Sequence, residues 1–185
     1  MKNKNVQMLV FGALFSAIAF VLYLFEIPFV AHLKFDLSDV PVLLGSILFT
    51  PVFGVVVELV KNLLQLLVRG LGSTMGFGNI MNFLVGVAYV VPFALIWRKK
   101  QNVKGFVLAA VCGIVSILVV GVIGNALIVP PYFRYFMHFT VDGPALKGAI
   151  LSATALNAIK GGILTVVAYP LIKLSHIFKK AMKDV

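Results

Sequence analysis

Asn157 and Lys160 stand three residues apart in "ALNAIKGG", in the middle of a long apolar run. At that spacing both side chains project from one helical face. An ammonium and an amide there can close a buried ion pair, or they can hydrogen-bond a polar guest. Snorkelling offers no escape. Taking Leu174 as the inner end of the run, Lys160 lies about 20 Å from it at the helical rise, beyond the reach of a lysine stem. Its charge therefore needs a buried partner: Glu58, an acid of the loop ahead of residue 40, or a polar ligand. Gly161 and Gly162 beside it admit close approach of another helix or of a flat molecule.

Other polar residues interrupt other apolar runs. Glu58 and Lys61 in "VVVELVKNLLQLL" share a helical face, and Asn62 and Gln65 lie close behind. An ionisable group at the centre of a bilayer costs at least about 2.5–3.5 kcal/mol, so such groups face the protein interior. Glu58 and Lys61 form either a structural ion pair or a direct ligand contact. Asn79 follows Gly78 and is expected to cap its helix. Asn82, a turn further in, has the better claim on a binding pocket. The Asn125 amide in "GNALIVPPYF" must be satisfied by a ligand hydroxyl or by another helix. In "HLKFDLSDVP", Asp39 with Pro41 nearby is expected to cap the following helix. The same loop, with Asp36 and Ser38, is also placed to cover a cavity and present its backbone to a ligand. Gly12 with Ser16, and Ala13 with Ala17, form small-xxx-small pairs suited to close helix packing, within the bundle or against a separate membrane protein.

The elements that must position these residues are apolar and long. The chain has 185 residues, 61% hydrophobic and 12% charged, and a mean hydropathy of +1.07. A soluble domain carries roughly a quarter charged residues, so the composition is that of an integral membrane protein. Apolar runs at 6–25, 40–49, 52–68, 79–97, 105–129 and 148–174 predict an all-α single domain, a six-transmembrane-helix bundle. The 40–49 run is about half the roughly 20 residues a span needs, Thr50-Pro51 ends it, and Pro130-Pro131 is expected to end the fifth. The intervening segments 26–39, 69–78 and 130–147 read as loops. The net charge of +10 sits at Lys2 and Lys4, at Arg98 to Lys104 and at Lys173, Lys179, Lys180 and Lys183. These are the edges of apolar runs, which predicts cytoplasmic N- and C-termini and argues for a bilayer rather than nucleic acid as partner. "YLFEIPF" offers no cleavage site after the first run, so that helix is expected to be retained.

Several chemistries are excluded by what is missing. There is no GxxxxGK[ST] phosphate loop, no HExxH and no GxSxG, and "GFGNIM" fails the GxGxxG pattern. His32, His138 and His176 are scattered, and Cys112 is alone, so neither a metal site nor an internal disulfide is expected. No internal repeat supports an inverted-repeat carrier.

Taken together, "LKFDLSDVPVLLG", "VVVELVKNLLQLL", "GFGNIMNFLVG", "GNALIVPPYF" and "ALNAIKGG" resemble, in order and spacing, the riboflavin-specific substrate-binding (S) components of energy-coupling factor transporters, of the RibU type. The likeness spans nearly the whole chain. It implies a six-helix bundle in the bacterial cell membrane, with a vitamin site near the outer face and no enzymatic activity of its own. It implies riboflavin as transported ligand rather than cofactor. The implied partners are a transmembrane T component and two cytoplasmic ATPases. Ligand contacts carry over onto Asn125, Asn157 and Lys160, onto the segment Leu33, Lys34 and Asp36, and onto Gly76, Phe77, Gly78 and Asn79, which Asn82 joins on its position alone. Ala13 and Ala17 carry over as the face that packs on the T component. Three other readings fit parts of the sequence: an S component for a different vitamin, a membrane-embedded enzyme with Glu58 or Asp39 as base, and a purely structural subunit.

Overall fold

The computed structural model describes the backbone of residues 4–30, 33–71, 76–136 and 138–184, and side chains within these except at 4, 28–30, 33–34 and 174–184. Lys2, His32 and residues 72–75 of the glycine-rich loop lie outside the described residues. The chain order is α1 (Lys4–Leu24), β1 (Ile27–Val30), β2 (Leu33–Phe35), α2 (Asp39–Leu48), α3 (Pro51–Arg69), α4 (Phe77–Lys99), α5 (Val103–Phe136) and α6 (Gly143–Asp184). α1, α3, α4, α5 and α6 are long and apolar enough to cross a membrane. α2, with ten residues, is about 15 Å long, half the hydrocarbon thickness.

α3 shows why this sequence belongs in lipid. Its outer face is Val52, Val56, Leu59, Leu63 and Leu67, all exposed, while Glu58, Lys61, Asn62 and Gln65 are buried. That is a soluble helix turned inside out. Its start is fixed locally: Thr50 is extended, its Oγ1 accepts from the Phe53 amide at 3.0 Å, and Pro51 occupies the first turn.

Short α2 is the hub, packing on α1, α3, α4 and α6, while α4 lies along α5 and α5 along α6. α2 and α3 touch so closely that a Cβ on Gly54 would meet Ser46 Oγ at 1.7 Å. Phe15, Phe49 and Phe53 interlock α1 with the α2–α3 junction. The Tyr89 hydroxyl meets Thr165 Oγ1 at 2.8 Å and ties α4 to α6.

The two ends of the bundle are built differently. At one end Arg69 closes α3 onto the C-terminus of α1, donating to Leu24 O at 2.6 Å and pairing with Glu26 at 3.0 Å. The Phe77 amide donates to the Tyr132 hydroxyl at 3.1 Å, joining α4 to α5. At the other end Arg98 donates to Phe49 O, which sets the basic end of α4 beside the α2–α3 junction.

Three features depart from the expected layout. Residues 27–35, expected as loop, form an antiparallel hairpin with Ile27 opposite Phe35 and Pro28 opposite Lys34. A register shift between Pro28 and Val30 accommodates one extra residue as a bulge. α5 runs on through Pro130 and Pro131 to Phe136. Proline's φ is already helical, and its missing N–H is tolerated in membrane helices where neighbours satisfy the freed carbonyls. α6 continues past Leu174 to Asp184, because lysine, alanine and methionine propagate a helix after the apolar run has ended.

Candidate ligand-binding site

The polar residues of the apolar runs converge at the hairpin end of the bundle. Lys160 of α6 is 5% exposed, and its Nζ lies 2.8 Å from Asp39 Oδ2 and 3.5 Å from Asp36 Oδ2. Lys61 of α3 pairs with the other Asp39 oxygen, with Glu58 Oε2 at 2.8 Å, and donates to Ser38 Oγ at 2.7 Å. Asp39 is thus split between two ammonium groups, one oxygen to each. Lys61 also lies 5.5 Å above the Tyr23 ring of α1, within cation–π range. Asp39 Oδ2 and Glu58 Oε2 are satisfied by charge rather than by a well-directed hydrogen bond.

Of the partners the sequence offered Lys160, the structure selects the loop acids Asp36 and Asp39. Glu58 pairs with Lys61, the structural ion pair that their i, i+3 spacing allowed. Asp39 does not cap α2: it is the first helical residue, and Ser38 precedes it as N-cap. The carboxylate is drawn inward by two buried cations and is not free to fold back on the helix amides. The Asp36 carboxylate accepts from the Ser38 amide at 2.8 Å and from its hydroxyl, and α2 has no side-chain cap.

A second chain of contacts links α3 to α4. Asn62 donates to Glu58 Oε1 at 3.0 Å and to Asn82 Oδ1 at 3.4 Å, and Asn82 donates to Asp36 Oδ2 at 3.2 Å. Asn79 is not a cap either. Gly76, at φ +85°, precedes the helix, and the Asn79 amide donates to Gln65 Oε1 and to Asn62 O at 3.3 Å. Three positions into α4 its side chain points across to α3, where those acceptors lie. Gly76, Phe77 and Gly78 open α4 at the same end, with the Phe77 ring 5.1 Å from Tyr132. Leu33 and Lys34 lie in β2, which packs against α6.

Asn125 and Asn157 are different in kind. Both are buried, on the facing helices α5 and α6. Asn125 Nδ2 donates to Gly121 O at 2.7 Å, which leaves its Oδ1 as an acceptor. The Asn157 amide makes no hydrogen bond to another described residue, and its polar atoms are not sealed from solvent. The Asn157 amide thus keeps unspent hydrogen-bonding capacity one turn from ion-paired Lys160.

Sequence reasoning missed the clasp of Arg69 on Glu26, the contact of Lys61 with Tyr23, and the glycines that seat polar groups. A Cβ on Gly86 would fall 2.6 Å from Glu58 Oε1. Glycine inside an apolar helix was the available signal.

Comparison with known proteins decides the family. The family model "ECF transporter, substrate-specific component" matches residues 7–172. The chain belongs to this family. It is 32% identical over 168 residues to the riboflavin transporter FmnP of Bacillus subtilis (strain 168), covering 88% of each chain. It is 33% identical over 159 residues to the riboflavin transporter RibU of Staphylococcus aureus (strain TCH60), covering 84% of this chain and 82% of that one. A solved structure described as the S component of a bacterial ECF transporter superposes with a TM-score of 0.74 at 26% identity, over 98% of this chain and 99% of that chain. As a substrate-specific component with several membrane-crossing helices, the chain is a multi-pass membrane protein and a transporter subunit rather than an enzyme.

Proposed function

We propose that this substrate-specific component binds riboflavin at the hairpin end of its bundle and hands it to a separate energising module. That module consists of a transmembrane T component and two ATPase subunits. The reading takes α2 as a short sixth membrane segment and both termini as cytoplasmic, so that the hairpin end faces outward. The observation that carries it is the pair of buried amides on facing helices, Asn125 and Asn157, the second one turn from Lys160, in a chain whose relatives are riboflavin transporters.

The chemistry of the guest fits. Riboflavin is neutral, with a flat tricycle, an imide edge and a chain of hydroxyls. Asn125, Asn157 and the Lys160 ammonium supply complementary bonds. The backbone at 33–36 and 76–79, with Asp36, Asn79 and Asn82 in the supporting network, closes the rim, and Phe77 with Tyr132 gives the ring system an aromatic neighbour. Within the cluster three carboxylates, Asp36, Asp39 and Glu58, face two ammonium groups, Lys61 and Lys160. No cation there is left without a carboxylate, so the cluster suits a neutral vitamin better than its phosphate ester.

Titrating free riboflavin with purified protein tests this, because a flavin stacked in a protein loses its fluorescence. Saturable one-to-one quenching is expected, with the phosphate ester a weaker competitor. Changing Lys160 to Met or Asn157 to Ala should weaken binding by roughly tenfold or more, since a buried bond to a charged group is worth about 1.5–3 kcal/mol. No quenching by the wild-type protein would overturn the assignment.

A further inference from the structure

Gly121 lies in the middle of α5, between the two amides of the proposed site. Its carbonyl oxygen accepts from Asn125 Nδ2 at 2.7 Å. On the other side, a Cβ built on Gly121 would fall 2.2 Å from Asn157 Nδ2 and 3.4 Å from its Cγ. The Asn157 amide therefore lies directly over the bare Cα of Gly121. One glycine orients the first amide with its carbonyl and makes room for the second with its missing side chain.

We propose that Gly121 is a positioning residue of the ligand site, setting the relative placement of Asn125 and Asn157 and with it the fit of the guest. The inference rests on the riboflavin-binding reading for its ligand, but its steric part stands on the packing of α5 against α6. Any side chain at 121 must displace the Asn157 amide or push α6 away from α5. The first removes a donor–acceptor pair from the guest. The second also moves Lys160, one turn along the same face of α6.

The other α5 glycines do not share this position. A Cβ on Gly124 would meet the Sδ and Cε atoms of Met81, and one on Gly113 the ring of Tyr89. Methionine's flexible end gives way at little cost. Across the interface, a Cβ on Gly161 would meet Ile114, and one on Gly162 meets nothing within 4 Å. Among these only Gly121 has a ligand-site side chain in the space its own Cβ would take.

A double-mutant cycle separates positioning from generic packing. Gly121→Ala, Asn157→Ala and the double variant would each be measured for riboflavin affinity by fluorescence titration and for melting temperature in detergent, with Gly124→Ala as control. Gly121→Ala is expected to weaken binding about tenfold or more and to lower the melting temperature. In the Asn157→Ala background, where the amide it strikes is gone, it should do neither. Gly124→Ala should stay within about twofold of wild type in affinity. Wild-type affinity in Gly121→Ala, or losses that multiply in the double variant, would overturn the proposal. Should Gly121→Ala alone fail to fold, the double variant must recover folding, and its failure to do so is equally fatal. If the wild-type protein itself ignores riboflavin, the functional reading falls, while the melting-temperature cycle still decides the steric claim.

Discussion

Lys61 is the residue on which most of the buried charge depends. It touches Asp39, Glu58, Ser38 and the face of Tyr23, and it is wholly buried. A buried pair brings little net stability because both charges are stripped of water, yet removing one partner leaves the other stranded. Lys61→Met strands Glu58 and leaves Asp39 to Lys160 alone, and is expected to destabilise the protein by about 3–5 kcal/mol. Adding Glu58→Gln should return part of that loss. Unfolding of the detergent-solubilised variants measures both, and a silent Lys61→Met would mean that the cluster is not closed. This scale was the most legible in the sequence. A lysine too deep to snorkel must have a partner, and Glu58 and Lys61 three apart must share a face. The choice of Asp39 as the carboxylate shared by both lysines was not legible. It depends on α2 being wedged between α3 and α6, a tertiary fact with no local trace.

At the scale of elements, the helices followed from hydropathy, and the errors came from residues that carry two meanings. Proline at 130 and 131 reads as a stop in water but is absorbed in a membrane helix, where the chain has no other way to satisfy its backbone. Pro28 and the polar residues around it hid the hairpin, since a bulged pair of strands breaks the alternation by which strands are found. The hairpin's tether is Arg69, which holds Glu26 and the last turn of α1 while its own side chain is 36% exposed. The Glu26 side chain is buried but keeps a bond from Gln65 at 3.2 Å, so losing the partly exposed arginine is expected to cost only about 1 kcal/mol of global stability. Its effect should instead be local: Arg69→Ala is expected to leave the melting temperature nearly unchanged and to speed amide hydrogen exchange in residues 26–35. Exchange measured by mass spectrometry tests this, and equal rates in the two proteins would show that the hairpin is held by its other contacts alone.

For the whole molecule, the informative asymmetry is on α1. Its two small-residue pairs point in different directions. Ser16 is buried and Gly12 comes close to Phe53, so that pair packs inward, whereas Ala13 and Ala17 are exposed. Small residues on an outward face of a membrane helix contribute little to the bundle's own packing, but they let another helix approach closely. We propose that the energising module docks on this alanine face. The two functions should then separate cleanly. Replacing Ala13 or Ala17 with tryptophan adds bulk where the free subunit has nothing to clash with, so riboflavin affinity in purified protein should stay within about twofold of wild type. In cells that contain the complete transporter and depend on external riboflavin, the same variants should lose uptake, because two helices cannot close over an indole as they do over a methyl group. Loss of binding in the purified variants would mean that this face supports the site directly. Full uptake would mean that the module docks elsewhere on the bundle.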